Sequence, residues 1–288
     1  MIYHYCRPEG FLNIVKSQKI WACDLKKMND PAELVLGFSI IRDLWDTVFP
    51  EQKGTFKDND IEHVRFFYVG TSFSKNKDLL SQWRSYAGDG CGVSIGFLEN
   101  DLFKANSERH QVPVEHRKEV GSEYTVSKPR FKLEDVFYNK ESFTNFIKDK
   151  MLSFRETNGV PFKKKDGEPT SLNHVLFYTE LMEASCLLKS SFYEEEQEVR
   201  LFSSLWYEPL KVQSYSSPSD FDLRLDFRAS SNGLIAYTPV RLIGYEHKAI
   251  KEVILGPKSE SSIEEIQLFL RLNSFENCHV TKSAGKYR

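Results

Sequence analysis

The stretch Phe192-Tyr193-Glu194-Glu195-Glu196-Gln197-Glu198-Val199-Arg200-Leu201-Phe202 carries the strongest pattern in the chain. From Glu196 onward charge recurs at every second position and then gives way to apolar residues, as in a strand entering a core. Residues two apart on a strand share a face. The spacing therefore predicts that Glu196, Glu198 and Arg200 project together while Val199 and Leu201 point the other way. Carboxylates are unusual occupants of a half-buried strand. On a strand edge facing a cleft, Glu-x-Glu suits chemistry in which one carboxylate stabilises a sugar cation and its neighbour handles a proton. An acidic surface face partly neutralised by Arg200 accounts for the same residues, and the stretch alone does not choose between the two.

Working outward, residues 2–5 read as a short strand closed by Arg7-Pro8, followed by a helix to about Ser17 that carries Phe11, Ile14 and Val15. Residues 20–23 read as a second strand. Asp30-Pro31-Ala32-Glu33 combines an N-cap, a proline at the first helical position and a capping-box glutamate. The helix it opens has Leu34, Phe38, Ile41, Trp45 and Val48 along one stripe and packs on a core. Residues 64–74, rich in aromatic and β-branched side chains, read as a buried strand. A short helix over 78–87, a turn at Gly88-Asp89-Gly90 and a strand over 92–97 follow. Further strands are expected at about 111–119, 201–205, 223–227 and 250–255, with Val280 near the last. Helices are expected at about 141–154, 174–188 and 262–273, the last opened by Ser261 and Glu264 as a capping box. Residues 158–173, with Lys163-Lys164-Lys165, read as a loop whose charge is solvated rather than a phosphate grip.

Many short strands mixed with five or six helices in irregular order indicate an α+β fold. We expect one domain over residues 1–288, with a helical and loop insertion at about 120–190. No Gly-x-Gly-x-x-Gly follows a strand and no Walker loop occurs, so a Rossmann cofactor site is not expected. The 288 residues hold 39 Lys+Arg and 41 Asp+Glu, and 39 − 41 = −2 argues against a nucleic-acid binder acting through overall positive charge. Cys6, Cys23, Cys91, Cys186 and Cys278 are widely spaced and odd in number, which suggests neither a zinc cluster nor a disulfide framework and fits a reducing cytosol. The first residues lack the layout of a signal peptide, and no apolar run reaches the roughly 18 residues that span a bilayer. The expectation is a cytoplasmic protein with no membrane partner and no resident metal.

One resemblance covers nearly the whole chain, from Tyr3 to about Pro257. The order Tyr3-His4-Tyr5, Ile20-Trp21-Ala22, Asn29-Asp30-Pro31-x-Glu33, Ser72-Phe73-Ser74, Gln82-Trp83-Arg84-x-Tyr86, Gly90-x-Gly92, Ile95-Gly96-Phe97, Glu196-x-Glu198-x-Arg200 and Ile254-x-Gly256-Pro257 resembles an uncharacterised bacterial family known only as a domain of unknown function. That family in turn looks like a remote member of the ADP-ribosyltransferase superfamily, in which a split β-sheet holds extended NAD in a cleft. The resemblance implies a split mixed or antiparallel sheet with flanking helices. It implies NAD as the substrate, cleavage of the nicotinamide–ribose bond, and a protein or nucleic-acid acceptor or water. It also implies a role as a toxin or phage-defence effector.

Carried over residue by residue, His4 with Tyr5 beside it matches the first element of the signature. Phe73 with its flanking Ser72 and Ser74 matches the second, and Glu198 the third. A Phe where the pattern has Tyr or Ser leaves two options: a flanking serine supplies the hydroxyl, or only stacking on nicotinamide survives. Glu196 would orient an acceptor or take its proton. Trp83-Arg84-x-Tyr86 sits in a Gly-bounded segment, where an Arg beside aromatics can bind a pyrophosphate bidentately or stack on a base. Equally, Trp83 is core and Arg84 pairs with Glu196 or Glu198. Taken singly, His4 reads as a hydrogen-bonded packing residue and Ser72-Phe73-Ser74 as strand alternation. Three other readings compete: a nuclease holding Mg²⁺ on Asp30, Glu196 and Glu198, a non-catalytic nucleotide-binding or partner-binding module, and a thiol nucleophile at Cys6 or Cys186.

Overall fold

The structure is a computed structural model describing residues 1–27, 31–56, 66–107, 131–161, 172–206, 225–230, 233–244 and 246–285. Its organising strand is β3 (Phe66–Ser74). Along one edge it pairs for its whole length with β6 (Glu198–Trp206), from Phe66 opposite Trp206 to Ser74 opposite Glu198. The other edge must then serve both β1 (Ile2–Cys6) and β2 (Lys19–Asp24). β1 touches it at Tyr3 opposite Ser74. β2 touches it four residues away, at Cys23 opposite Gly70 and Asp24 opposite Val69. Between these points, at Thr71, Ser72 and Phe73, neither strand pairs with β3. The sheet therefore forks, and helix α1 (Pro8–Ser17) joins the end of β1 to the start of β2 across the gap.

Each arm of the fork is extended by further strands. Beyond β1 lie β4 (Val93–Phe97), β9 (Ile250–Leu255) and β10 (His279–Lys282); beyond β2 lie β8 (Gly233–Arg241) and β7 (Asp226–Ser230). A short β5 (Lys132–Asp135) borders β6. All these pairings are antiparallel except β9 with β10. The result is an α+β fold with a mixed, antiparallel-dominated sheet.

Alternation along the strands sorts side chains into two cores. Val69 and Phe73 of β3, with Val199 and Leu201 of β6, join Phe11 and Val15 of α1 on one face. Leu270 of α7 (Ile263–Leu272) belongs to the same core. Tyr68 and Phe202 face the other way, into a helical layer. That layer is built from α2 (Pro31–Val48), α5 (Lys140–Asn158) and α6 (Leu172–Ala184), with Trp45, Phe143 and Leu181 fully buried. The stripe expected on α2 is the one buried. Two short helices, α3 (Leu80–Ser85) and α4 (Glu99–Ser107), flank β4. Among the described residues no helix is long and apolar enough to cross a membrane.

Several elements differ from expectation. The capping box is Ser262 with Glu265, one residue later than predicted; Ser261 with Glu264 has the same spacing, which is why the sequence rule alone did not separate them. β8 was not read from the sequence, nor were β5 and α4. Asn29, Asp30, the expected strand at 111–119 and the Lys163-Lys164-Lys165 segment lie outside the described residues.

Candidate functional site

The fork opens into a cleft of about 640 Å³, within the range of small-molecule sites. β1 contributes Tyr3 to Cys6, and β2 contributes Lys19, Ile20, Trp21 and Cys23. β3 contributes Gly70 to Ser74, and α1 contributes Gly10, Asn13, Ile14 and Ser17. Glu196, Glu198, Arg200, Lys189, Tyr86 and Tyr193 close it on the β6 side.

Ser72 stands where the strands part, and it joins two of the sequence-predicted residues. His4 Nδ1 lies 3.1 Å from the Ser72 carbonyl oxygen. A carbonyl only accepts, so Nδ1 carries the hydrogen. Burial lowers the His4 pKa, against the opposing pull of that carbonyl, so the ring is held neutral and Nε2 is a bare acceptor. The Ser72 hydroxyl donates to Glu198 Oε1 at 2.5 Å. One residue thus links the imidazole of β1 to the carboxylate of β6 through its backbone on one side and its side chain on the other.

Glu198 is 4% exposed and held at both oxygens. Oε1 accepts from Ser72 Oγ, from Arg200 Nε at 2.8 Å and from Arg200 Nη2 at 2.7 Å. Oε2 accepts from Lys189 Nζ at 2.8 Å, and the same ammonium reaches Glu196 Oε2 at 2.6 Å. Its backbone N–H donates to Tyr138 Oη at 2.7 Å. Burial pushes the Glu198 pKa up, but Arg200 and Lys189 pull it further the other way, to about 2. For Lys189 burial acts downward and is outweighed by Glu198 and Glu196, which hold the ammonium charged. Two carboxylates and two cations balance, as groups removed from water must.

Glu196 reaches this cluster by a different route from the one expected. It ends a 3₁₀ turn (Ser191–Glu196), and Gln197 takes a left-handed conformation at φ 42° before β6 begins at Glu198. The period-2 reading holds for Glu198 and Arg200 and fails for Glu196, because the chain turns at Gln197. Lys189 brings the two carboxylates together.

The remaining predicted residues divide. Phe73 lines the cleft from the opposite face of β3, packed edge-on to His4 at 6.0 Å and Phe97 at 5.4 Å. Ser74 Oγ donates to the Glu196 carbonyl at 2.6 Å and accepts from Asn76 N, which fixes the turn rather than a ligand. Tyr5 Oη donates to the Asn76 carbonyl and accepts from Leu79 N, and its ring packs edge-on to Trp83. Tyr86 is half-buried beside the cluster; burial, then Glu196, raises its pKa.

Trp83 and Arg84, expected at the cofactor, are not among the residues that line this cleft. Trp83 is 2% exposed and donates Nε1 to Asp78 Oδ1 at 2.6 Å, so it is a core support for Tyr5. Arg84, one step further round the same short helix, points to solvent. Missed by sequence reasoning were Lys189, Tyr138, Tyr193, Trp21 and Arg228. A lysine directly after the apolar run Cys186-Leu187-Leu188 was the signal available for the first.

The competing chemistries fare differently in this geometry. An ammonium sits between Glu196 and Glu198, where a bridging divalent cation would have to be, and Asp30 is outside the described residues. Among the described residues no group of three His, Cys, Asp or Glu is arranged to hold a metal ion. Cys6 and Cys186 are buried, and burial pushes both thiols up to about 12, which removes them as activated nucleophiles.

Residues 82–201 match the model of DUF2971, a protein family of unknown function. No curated protein and no solved structure matches the chain. The DUF2971 segment runs from α3 to the first residues of β6 and includes Tyr86, Lys189, Glu196, Glu198 and Arg200, so the charged side of the cleft lies inside it. His4 and Ser72 lie before it.

Proposed function

We propose that this chain cleaves the nicotinamide–ribose bond of NAD and passes the ADP-ribosyl group to a protein or nucleic-acid acceptor or to water. The observation that carries the reading is the link through Ser72, which brings His4 and Glu198 to one cleft at a fork in the sheet. This resembles the split sheet and the His, Ser and Glu elements of ADP-ribosyltransferases. It also supports a serine, rather than Phe73, as the source of the second-element hydroxyl.

In the reaction the C1′–N1 bond breaks, the electron pair leaves with nicotinamide, and positive charge develops on the ribose. An acceptor oxygen then bonds to C1′ and gives up its proton to a base, the role in which Glu196 at the cleft wall would serve. A carboxylate beneath the sugar stabilises that charge more in the transition state than in the ground state. Glu198 is ionised across the physiological range and is fixed by donors from three residues, so it needs no reorganisation as the charge appears. Glu196 offsets the charge of Lys189 and keeps Glu198 from being over-neutralised. His4 Nε2, as an acceptor, takes a sugar hydroxyl.

Incubation of the purified protein with NAD labelled in the nicotinamide ring tests this. We expect free nicotinamide, and a loss of about 100-fold or more in Glu198→Gln, the scale of one preorganised electrostatic contact. Retention of full activity by that variant would remove Glu198 from the chemistry. The release of nicotinamide reports hydrolysis and transfer alike.

A further inference from the structure

The β2–β8–β7 arm of the fork is built unlike the Glu198 side. Arg228, on β7, lines the cleft, and its Nε is buried with no hydrogen-bond partner. A buried charged donor left unmet costs upwards of about 1–3 kcal/mol, so such an atom in a cleft wall marks a place for an acceptor. Arg228 sits opposite Ile235, and Tyr237 opposite Cys23, which pairs with Gly70. Alternation then puts Trp21, Cys23, Tyr237, Ile235 and Arg228 on the same face of the sheet as Ser72 and Glu198. Trp21 is 40% exposed, although its ring lies against Tyr237 at 4.5 Å and 30°. Lys19 and Lys27 line the same arm. Asp226 shares that face, but its Oδ2 accepts from Tyr237 Oη and its Oδ1 from Phe227 N.

We infer that this arm holds the diphosphate and base of a nucleotide, with Arg228 anchoring the phosphate and Trp21 offering the stacking plane. The inference rests on the reading of the cleft as an NAD site and assigns its ADP half. A guanidinium fork matches phosphate oxygens geometrically, and an exposed indole accepts any base by its π-face. From β6 through β3, β2 and β8 to β7 is four interstrand steps of about 4.8 Å, on the order of 19 Å. An extended dinucleotide with its glycosidic bond at Glu198 spans that distance. The diphosphate role that the sequence suggested for Arg84 passes to Arg228.

Calorimetric titration with ADP and with adenosine tests the assignment on the full chain. ADP should bind at least about tenfold more tightly than adenosine, because only ADP carries the phosphates. Arg228→Lys, which keeps the charge and removes Nε, should weaken ADP about tenfold and leave adenosine unchanged. Trp21→Ala should weaken both ligands by similar factors. The assignment is overturned if Arg228→Lys binds ADP as the parent does, if adenosine matches ADP, or if ADP fails to bind at millimolar concentration. ADP binding as described without nicotinamide release would retain this subsite and reject the glycosidic chemistry. Nicotinamide release with ADP binding indifferent to Arg228 would do the reverse.

Discussion

Glu198 shows how a charge can be kept in a protein interior. Its carboxylate is 4% exposed, and only the donors from Ser72, Arg200 and Lys189 make ionisation cheaper than protonation. Because its pKa falls from 4.5 to about 2 on folding, its contribution to stability is fully present above about pH 4.5 and is lost as pH drops toward 2. The size of that contribution is on the order of 3 kcal/mol. Acid unfolding followed by circular dichroism should therefore fall more steeply between pH 4.5 and 2 in the parent than in Glu198→Gln, which has nothing to protonate there. Parallel curves would mean that the ion pairs contribute no net stability. At this scale the sequence told half of the story. The partnership of Glu198 with Arg200 follows from period 2, whereas Lys189 reaches the site because the chain folds back through a 3₁₀ turn that no spacing rule describes.

At the scale of elements, Gly37 allows a close approach within the helical layer. It lies on α2 where that helix meets the 3₁₀ turn Ser185–Leu187, and a Cβ there would fall well inside contact distance of the Ser185 carbonyl oxygen. Ala at a helix interior position gains about 1 kcal/mol in propensity, but forcing atoms against a fixed backbone costs about 1–3 kcal/mol or more. The clash wins, and Gly37→Ala should lower the denaturant midpoint at unchanged slope. A rise in the midpoint would show that the two elements can separate freely.

The elements readable from sequence were those with a strong period and clean caps. Leu34, Phe38, Ile41, Trp45 and Val48 announce α2, and Ile2 with Tyr5 announces β1. β8 was not readable, since Ala236, Thr238 and Val240 make a weak apolar alternation and Pro239 reads as a strand breaker. Its proline is tolerated opposite Trp21, where long-range pairing with β2 overrides local preference.

At the scale of the whole molecule, the proposed cleft depends on a topological feature, the sharing of one edge of β3 by two strands. Residue 4 meets residue 72 beside that fork, and residue 198 reaches residue 72 through the β3–β6 pairing on the other edge, so their meeting rests on contacts across as many as 126 positions of chain. Sequence order suggested which residues to watch, through a resemblance rather than through any local rule. It could not show that Trp83 is a strut, that Arg84 faces water, or that Arg228 from a distant strand enters the cleft. Those facts depend on which face of which strand ends up beside the gap.

Under the proposed function Ser72 acts through Glu198 on bound NAD, and a double-variant cycle on nicotinamide release tests this most directly. Ser72→Ala alone should slow release about tenfold, the worth of one hydrogen bond to a charged group. The same change in a Glu198→Gln background should alter the rate by less than about twofold. Equal factors in both backgrounds, or no release of nicotinamide by the parent protein, would contradict the account.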